Sequence, residues 1–200
     1  ALVDASLRDH LLAYEESRIS YLSLPEPIGL DELLDRIELS IGPRLVILNT
    51  VRNAAIVAQS LRERCGSGAV EHISTALTAH DRGIVIRRVR ERLNDSNDQN
   101  WTLVATSCVE AGVDFSFRTG FRELSSLLSL LQAAGRVNRN GAFDEAKIWS
   151  FRFQEGDNLN KNPGFKVSSC ILDRYFSKKI PILPSLSTRS IEDEIAENDA

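Results

Sequence analysis

Residues 45–64 read LVILNTVRNAAIVAQSLRER and place a short apolar strand directly before a helix. The strand at 45–48 is apolar on both faces, which is typical of a strand buried inside a parallel sheet. The helix is predicted from about Arg52 to Arg64, and Asn49-Thr50 separates the two elements. In such sheets, binding residues collect in the loops after the strands, so Asn49-Thr50 is a candidate binding loop.

The strand–helix pattern repeats along the chain. Further strands are predicted at 69–73, 101–105 and 146–151, and a second long helix at about 79–93. Strands that alternate with helices of this length indicate βαβ units with right-handed crossovers, which place helices on both sides of a sheet. The sequence therefore predicts an α/β fold of three layers, with a mainly parallel sheet flanked by helices on both faces.

The N-terminal part of the chain predicts helices rather than strands. Residues 4–18 predict an amphipathic helix, residues 21–29 predict a connector, and Asp31 is expected to cap a short helix that ends at Leu39. The apolar stripe of the first helix is expected to include Leu7, Leu11, Leu12 and Ile19.

The C-terminal part predicts one helix, at 167–177, followed by a loose acidic tail. The chain is thereby divided into three predicted parts. These are an N-terminal helical flank and connector at 1–43, a central domain at 44–153, and a helical flank with a loosely structured acidic tail at 154–200.

The composition excludes several classes of protein. The formal net charge is −4, so the chain as a whole lacks the basic character typical of nucleic-acid-binding domains. No apolar run reaches membrane-spanning length, and no membrane partner is expected. The three cysteines and three histidines are scattered, so neither a disulfide framework nor a metal site is predicted. The chain contains no methionine, even at position 1, which indicates a piece of a longer protein.

Residues 131–139, LQAAGRVNR, form the first candidate site. On a helix, Gln132, Arg136 and Arg139 would share one face, beside Gly135, where another molecule could approach closely. Guanidinium groups present planar forks that suit phosphate oxygens, and such arginines can stabilise the charge of phosphoryl transfer. The alternative for this segment is a pair of structural arginines that bridge to carboxylates.

Residues 104–114, VATSCVEAGVD, form the second candidate site. Hydroxyls and free N–H groups at a strand end, here Thr106 and Ser107, can hold a phosphate. After a turn at Gly112, Asp114 could accept from a ribose hydroxyl or from a metal-bound water. The alternative is that the hydroxyls and Asp114 only cap local turns.

Together, the two segments resemble motifs V and VI of superfamily 2 helicases. A strand that ends in T-S-x-x-x-E-A-G-V-D precedes Q-x-x-G-R-x-x-R, in the order found in the second of the two RecA-like domains of those enzymes. The chain more closely resembles the CRISPR-associated helicase of type I interference systems. That resemblance covers about residues 44–152 and is carried also by H-I-S-T at 72–75, T-A-H-D-R at 78–82, R-E-L at 122–124 and Q-A-A-G-R-V-N-R-N-G at 132–141.

The resemblance implies a role for each matching position. The residues that would face the ATP γ-phosphate are Gln132, Arg136 and Arg139, with Arg139 as the arginine finger. The residues that would lie near the nucleotide are Gly112, Asp114 and Gly135. The residues that would lie near nucleic-acid phosphates are Thr50, Ser74, Thr75, Arg82, Thr106 and Ser107. Many relatives of the DExH class carry arginine after the motif VI glutamine, whereas Ala133 stands there in this chain, so one interdomain ion pair is absent.

The resemblance also implies a cofactor and partners. ATP with Mg²⁺ would be held mainly by a first RecA-like domain that is absent from this chain, in which no glycine is followed by lysine as a phosphate-binding loop requires. The expected partners are single-stranded DNA, that first domain, a histidine-aspartate nuclease domain and a CRISPR RNA-guided surveillance complex. The intact protein would unwind target DNA in antiviral defence in the cytoplasm of a prokaryote.

Several alternatives stay open. The domain could belong to another superfamily 2 RNA or DNA repair helicase, or could be a non-catalytic RecA-like module that binds a partner protein. The helix at 79–93 turns Arg87, Arg88 and Arg90 outward, which favours a solvated face and also fits a contact with a DNA backbone. The pair His80-Asp81 resembles a nuclease metal pair, but its place at a helix start predicts capping instead.

Overall fold

A six-stranded sheet forms the centre of the protein, and every strand pairing in it is parallel. The structure, a computed structural model, describes residues 4, 7, 10, 13–14, 17–156, 159 and 162–198. The strands are β1 (Ser20–Ser23), β2 (Arg44–Leu48), β3 (Val70–Ile73), β4 (Thr102–Thr106), β5 (Thr119–Glu123) and β6 (Lys147–Phe151). Their order across the sheet is β1-β6-β5-β2-β4-β3, which places β1 and β3 at the edges.

Six helices follow from β1 onward in the described part of the chain. They are α1 (Leu30–Leu39), α2 (Val51–Cys65), α3 (Ala79–Asn94), α4 (Leu127–Ala134), α5 (Lys166–Ser177) and α6 (Ser187–Asn198). Hydroxyl residues form the N-caps of three of these helices. The side chains of Thr50, Thr78 and Ser126 each accept a hydrogen bond from a backbone N–H in the first turn. None of the described helices has the length and apolar character needed to cross a membrane.

Alternate residues of the central strands enter two separate cores. Leu45 and Ile47 of β2 pack with side chains from α3, α4 and α5, whereas Val46 and Leu48 pack with side chains from α1 and α2. Each of these four residues is at most 1% exposed. Because helices cover both faces, a strand here can be apolar throughout, as the sequence predicted. The predicted three-layer α/β fold with helices on both faces is confirmed.

The structure adds two strands that were not predicted. β1 lies partly within the predicted connector at 21–29 and pairs with β6, so the sheet extends beyond the boundary drawn at residue 44. Its sequence, SYLS, is only partly apolar because an edge strand is half-exposed. β5, TGFRE, lies between β6 and β2 and is buried at all five positions. Its glycine and two charged residues interrupt the apolar pattern by which the other central strands were predicted.

The acidic tail is more ordered than predicted. Residues predicted as a loose end form α6, which packs against α5. The Tyr175 hydroxyl donates to Asp193 at 2.7 Å, and Arg174 forms an ion pair with Glu197. The prediction was wrong because it treated these carboxylates as solvated, whereas two of them bind side chains of α5.

The predicted N-terminal helix is described only in part. The described residues from Leu7 to Arg18 are helical. Leu7 is 53% exposed, so the predicted stripe is not buried there, while Ile19 is 4% exposed. Leu11 and Leu12 lie outside the described residues. The short helix α1 begins two residues earlier than expected, with Gly29 in place of Asp31 at its N-cap, so Asp31 lies in its first turn and is not the cap.

Gly120 of β5 provides a test of this packing. A Cβ atom at this position would lie 2.7 Å from Cγ2 of Val137 and 3.1 Å from Cγ1 of Ile148. Because both neighbours are stiff, β-branched side chains in a close-packed core, Gly120→Ala should lower the free energy of unfolding by about 1–3 kcal/mol. Urea denaturation of this chain measures the change.

The matched control is Gly83→Ala in α3, where an added Cβ meets nothing within 4 Å. This change should raise the free energy of unfolding by roughly 0.5–1 kcal/mol, because alanine favours a helix interior over glycine. A Gly120→Ala protein as stable as the parent would show that β5 is not packed as described.

Candidate functional site

The parallel sheet brings the carboxyl ends of several strands into one row. β5, β2, β4 and β3 are neighbours in that order, and Leu48 of β2 stands opposite Thr106 of β4. The loops after β2, β4 and β3 therefore emerge side by side, with adjacent strands about 4.8 Å apart. The hydroxyl residues predicted to contact nucleic acid lie at or just after these ends, and we call them the hydroxyl row: Thr50, Ser74, Thr75, Thr106 and Ser107.

These hydroxyls differ in how accessible they are. Thr75 and Ser107 are exposed, and Thr50 is half-buried and caps α2 with its side-chain oxygen. Ser74 and Thr106 are buried, at 1% and 5% exposure. A molecule that approaches this edge from solvent would meet Thr75 and Ser107 first, so Ser74 and Thr106 contribute mainly to the shape of the loops.

Arg82 lies in the first turns of α3, which begins just after the Ser74-Thr75 loop. Its Nη2 donates to the carbonyl of Leu77 at 3.3 Å. Its Nε is buried and makes no hydrogen bond within the described part of the chain. The guanidinium is therefore held at the same edge of the sheet as the hydroxyl row.

The outer face of α3 is only partly free. Arg88 forms two hydrogen bonds with the buried Glu71, at 2.7 and 2.6 Å, which raise the pKa of Arg88. Arg87 and Arg90 are exposed to solvent. The arginines that the sequence placed together thus divide into one that is bound to the edge strand β3 and two that project outward.

The pair His80-Asp81 occupies the start of α3, as its position in the sequence predicted. The Thr78 hydroxyl donates to Asp81 at 2.7 Å, and the Asp81 backbone N–H donates to the Thr78 oxygen at 3.1 Å. Asp81 is thereby engaged in the helix cap. Within the described ranges, no cluster of three or more His, Cys, Asp or Glu residues could hold a metal ion.

The predicted common helical face of Gln132, Arg136 and Arg139 does not exist. α4 ends at Ala134, and Gly135 has an ordinary backbone, with φ of −62°. The chain then leaves the helix because Phe117 pairs with it, with Phe117 N donating to Arg136 O at 2.8 Å and Asn138 N to Phe117 O at 2.7 Å. Gln132 remains exposed on α4, while the two arginines follow in a turn.

Arg136 is tied to the backbone of the second predicted segment. Its Nε donates to the carbonyl of Val109 at 3.2 Å and its Nη2 to the carbonyl of Glu110 at 2.9 Å, with only 9% of the residue exposed. Burial lowers the pKa of this guanidinium, and the nearby charge of Arg139 lowers it further. Arg136 therefore joins the two segments through main-chain carbonyls and not through a carboxylate.

Arg139 joins the same two segments at the surface. Its Nε lies 2.9 Å from Oδ1 of Asp114, with the side chains 44% and 77% exposed. Gly112, two residues before Asp114, has a φ of +77°, a conformation that strongly favours glycine. The predicted cation and the predicted carboxylate are thus neighbours, and the glycine turn makes their approach possible.

Asn138 is a site residue that the sequence analysis missed. It has a φ of +47° and is 2% exposed. Its Nδ2 donates to the carbonyls of Phe143 and Arg18, and its Oδ1 accepts from Phe143 N at 3.0 Å. These bonds fix the turn that presents Arg139. The signal in the sequence was the Asn-Arg-Asn-Gly run, because asparagine tolerates positive φ.

A buried ion pair beneath this surface was also missed. Nε of Arg122 lies 2.8 Å from Oε1 of Glu110, with the two side chains 1% and 6% exposed. Burial raises the pKa of Glu110, which the charge of Arg122 opposes, and burial lowers the pKa of Arg122. The signal was the pair of charges within the segment that became β5.

Two further polar residues complete this buried group. Nη1 of Arg122 donates to Oδ1 of Asn49 at 2.5 Å, and Asn49 N donates to Oε2 of Glu123 at 2.8 Å. Burial raises the pKa of Glu123, while the bond from Asn49 N lowers it. Asn49 and Glu123 also line a cavity of about 1130 Å³ that opens at this edge towards α5.

Arg122 offers a test of this arrangement. Arg122→Leu leaves the Glu110 and Glu123 carboxylates buried without their cation, so the free energy of unfolding of this chain should fall by about 3–5 kcal/mol. The control is Arg36→Leu in α1, which removes an ion pair with Glu32 whose side chains are 43% and 49% exposed. That change should cost less than about 1 kcal/mol in the same denaturation measurement. Equal effects of the two changes would contradict the burial of Arg122.

Comparisons with known proteins agree with this architecture. The family model described as CRISPR-associated nuclease/helicase Cas3, C-terminal, matches residues 41–142. The CRISPR-associated helicase Cas3 of Thermoproteus tenax is 32% identical over 117 residues, which are 58% of this chain and 19% of that protein. The chain therefore spans about a fifth of the length of this relative.

Two solved structures share the fold. The crystal structure of T. fusca Cas3-AMPPNP superposes with a TM-score of 0.69 and 13% identity, over 92% of this chain and 24% of that one. The C-terminal domain of the DEAD-box protein Dbp5 superposes with a TM-score of 0.59 and 14% identity, over 82% of this chain and 88% of that one. The three layers are thus those of a RecA-like domain. Since the family model covers just over half of the 200 residues, the chain belongs to the CRISPR-associated nuclease/helicase Cas3 family and carries its C-terminal helicase domain.

Proposed function

We propose that the full-length protein is an ATP-dependent DNA helicase of a CRISPR interference system, in which this domain supplies the second half of an interdomain ATP site. One observation carries the proposal. Arg136 and Arg139 both contact the segment 109–114, and that segment begins at the same sheet edge as the hydroxyl row. The residues suited to a nucleotide and those suited to a nucleic acid are therefore parts of one connected surface.

The residues on the nucleotide side suit a polyphosphate. Arg139 is partly exposed and is held by an exposed carboxylate, so it can exchange Asp114 for a phosphate oxygen as the two RecA-like domains close. Arg136 and Gln132 would face the same phosphates, and Gly112, Asp114 and Gly135 would border the nucleotide. ATP with Mg²⁺ would be held mainly by the first domain, and hydrolysis of its terminal phosphate would drive the cycle.

The hydroxyl row suits the backbone of single-stranded DNA. Thr50, Thr75 and Ser107 present hydroxyl oxygens, and Arg82 presents a cation at the same edge. Ser74 and Thr106 support the loops that carry them. Contacts of this kind to phosphate and sugar position a strand without reading its sequence, as a translocating enzyme requires.

The family supports partners beyond this chain. We infer that the full-length protein contains a first RecA-like domain, works with a nuclease domain, and is recruited to its target by a CRISPR RNA-guided surveillance complex. Its role would be antiviral defence in the cytoplasm of a prokaryote. The name of the family, a nuclease/helicase, supports the nuclease.

Arg139→Ala in the full-length protein tests the nucleotide role. Loss of an arginine finger should lower the kcat of DNA-stimulated ATP hydrolysis by about 10³-fold or more. Stability should change by less than about 1 kcal/mol, because the ion pair that is lost is exposed. The control is Arg36→Ala, which removes another exposed arginine with a single carboxylate partner and should leave kcat unchanged. Unchanged ATP hydrolysis in Arg139→Ala would favour a non-catalytic partner-binding module.

The isolated 200-residue chain provides a second test. It should bind ATP and single-stranded DNA weakly and hydrolyse no ATP, because it contains no phosphate-binding loop with a lysine. Phosphate release by the purified chain, compared with the full-length protein, measures this. Turnover by the chain alone would overturn the interdomain site. Stronger stimulation of the full-length protein by RNA than by DNA would instead point to another superfamily 2 helicase.

A further inference from the structure

A line of polar contacts, buried at its centre, connects the two halves of the proposed site. It begins at Arg136 on the nucleotide side and ends at Asn49, next to Thr50, on the nucleic-acid side. The residues between them, Glu110 and Arg122, are 7% and 1% exposed and belong to neither predicted set of ligand contacts. Their burial and their position between the two sets call for a physical explanation.

The first half of the line joins Arg136 to Arg122 through a single residue. Nη2 of Arg136 binds the carbonyl of Glu110 at 2.9 Å, and the carboxylate of Glu110 approaches Nε of Arg122 at 2.8 Å. The main chain and side chain of Glu110 are therefore held by different arginines. Any movement of Arg136 that displaces the Glu110 backbone also displaces the partner of a buried charge.

The second half joins Arg122 to the start of α2. Nη1 of Arg122 binds Oδ1 of Asn49 at 2.5 Å and the carbonyl of Glu123 at 2.8 Å. Asn49 is further held by its Nδ2, which donates to the carbonyl of Leu124 at 2.9 Å. Thr50 follows directly and caps α2 by accepting from Asn53 N at 3.0 Å. Asn49 thus links Arg122 to the residue that begins α2 at the proposed DNA strand.

The cost of separating buried charges favours a joint movement of the residues in this line of contacts. An uncompensated charge in the interior is strongly destabilising, so Glu110 and Arg122 must stay together when either is displaced. Nε and Nη2 of Arg122 both lack a hydrogen bond within the described part of the chain, so Glu110 is held at 2.8 Å by charge and not by a hydrogen bond. Because Nη1 of the same guanidinium binds Asn49 and the carbonyl of Glu123, a shift of Arg122 with Glu110 is passed on to Asn49.

We propose that Arg122 and Asn49 are positioning residues that couple the nucleotide contacts of Arg136 to the nucleic-acid contacts beside Thr50. The proposal rests on the proposed helicase function and assigns to it a specific route of communication. Neither residue touches the nucleotide in this route. Their effect is on how strongly one ligand changes the binding of the other.

The test measures coupling between ligands in the full-length protein. The affinity for a fluorescent single-stranded DNA is determined by anisotropy, with and without saturating AMPPNP and Mg²⁺, and the ratio of the two Kd values is the coupling factor. Such factors are typically about 5–150-fold. Asn49→Ala should reduce the factor by about fivefold or more and bring it towards one, while the affinity for each ligand alone stays within about twofold.

The matched control is Asn100→Ala. Asn100 Oδ1 accepts from Nη2 of the buried Arg44 at 2.8 Å, so the same kind of arginine–asparagine bond is lost. That bond lies at the opposite, amino end of β2 and β4, and its loss should leave the coupling factor unchanged. A general effect of destabilisation would lower the factor in both variants.

The outcomes separate this inference from the proposed function. An unchanged coupling factor in Asn49→Ala overturns the route through Arg122, and so does an equal fall in Asn100→Ala. If Asn49→Ala lowers the affinity for DNA in the absence of AMPPNP, Asn49 contributes to DNA binding itself, and its role in coupling is overturned. A parent protein that binds neither ligand would overturn the proposed function itself, and the route with it.

Discussion

The parallel pairing of β2 with both β4 and β5 is the constraint on which the other features depend. Because all three strands run in one direction, their carboxyl ends meet at one edge, and so do the loops that follow them. Both faces of β2 are covered by helices, which makes its register expensive to change. Residues far apart in the sequence, such as Asn49, Thr106 and Glu123, are brought together by this register alone.

The same edge carries the polar groups that are most costly to bury. Glu110, Arg122 and Glu123 lie between the two hydrophobic cores, and burial shifts the pKa of each towards its neutral form. Replacing such a cluster with apolar residues is often neutral or stabilising in proteins. Its presence here is therefore better explained by a need for defined geometry at the loops than by a need for stability.

The parts of the fold that follow from apolar patterning were predictable, and the parts that depend on tertiary contacts were not. β2, β3, β4 and β6 show apolar runs, so their existence followed from the sequence. β5 depends on the Glu110 carboxylate to accommodate its arginine, and α6 depends on Tyr175 and Arg174 as partners. At the candidate site, the contact between the segments 104–114 and 131–139 was in keeping with their resemblance to paired motifs. The end of α4 at Ala134 was not predictable, because pairing with Phe117 takes the chain out of the helix.

The two arginines after α4 differ in their burial and in their bonding partners, although the sequence suggested a pair with one role. Arg136 is nearly buried and bonded to two carbonyls, so its orientation is set before any ligand arrives. Arg139 is held by one exposed carboxylate, a weak contact that the proposed exchange for a phosphate oxygen would break. A cation that is oriented in advance, beside one that can exchange partners, allows a site to meet a ligand in a defined geometry and then respond to it. Asn138, whose backbone turn separates the two side chains, is the residue that makes this division possible.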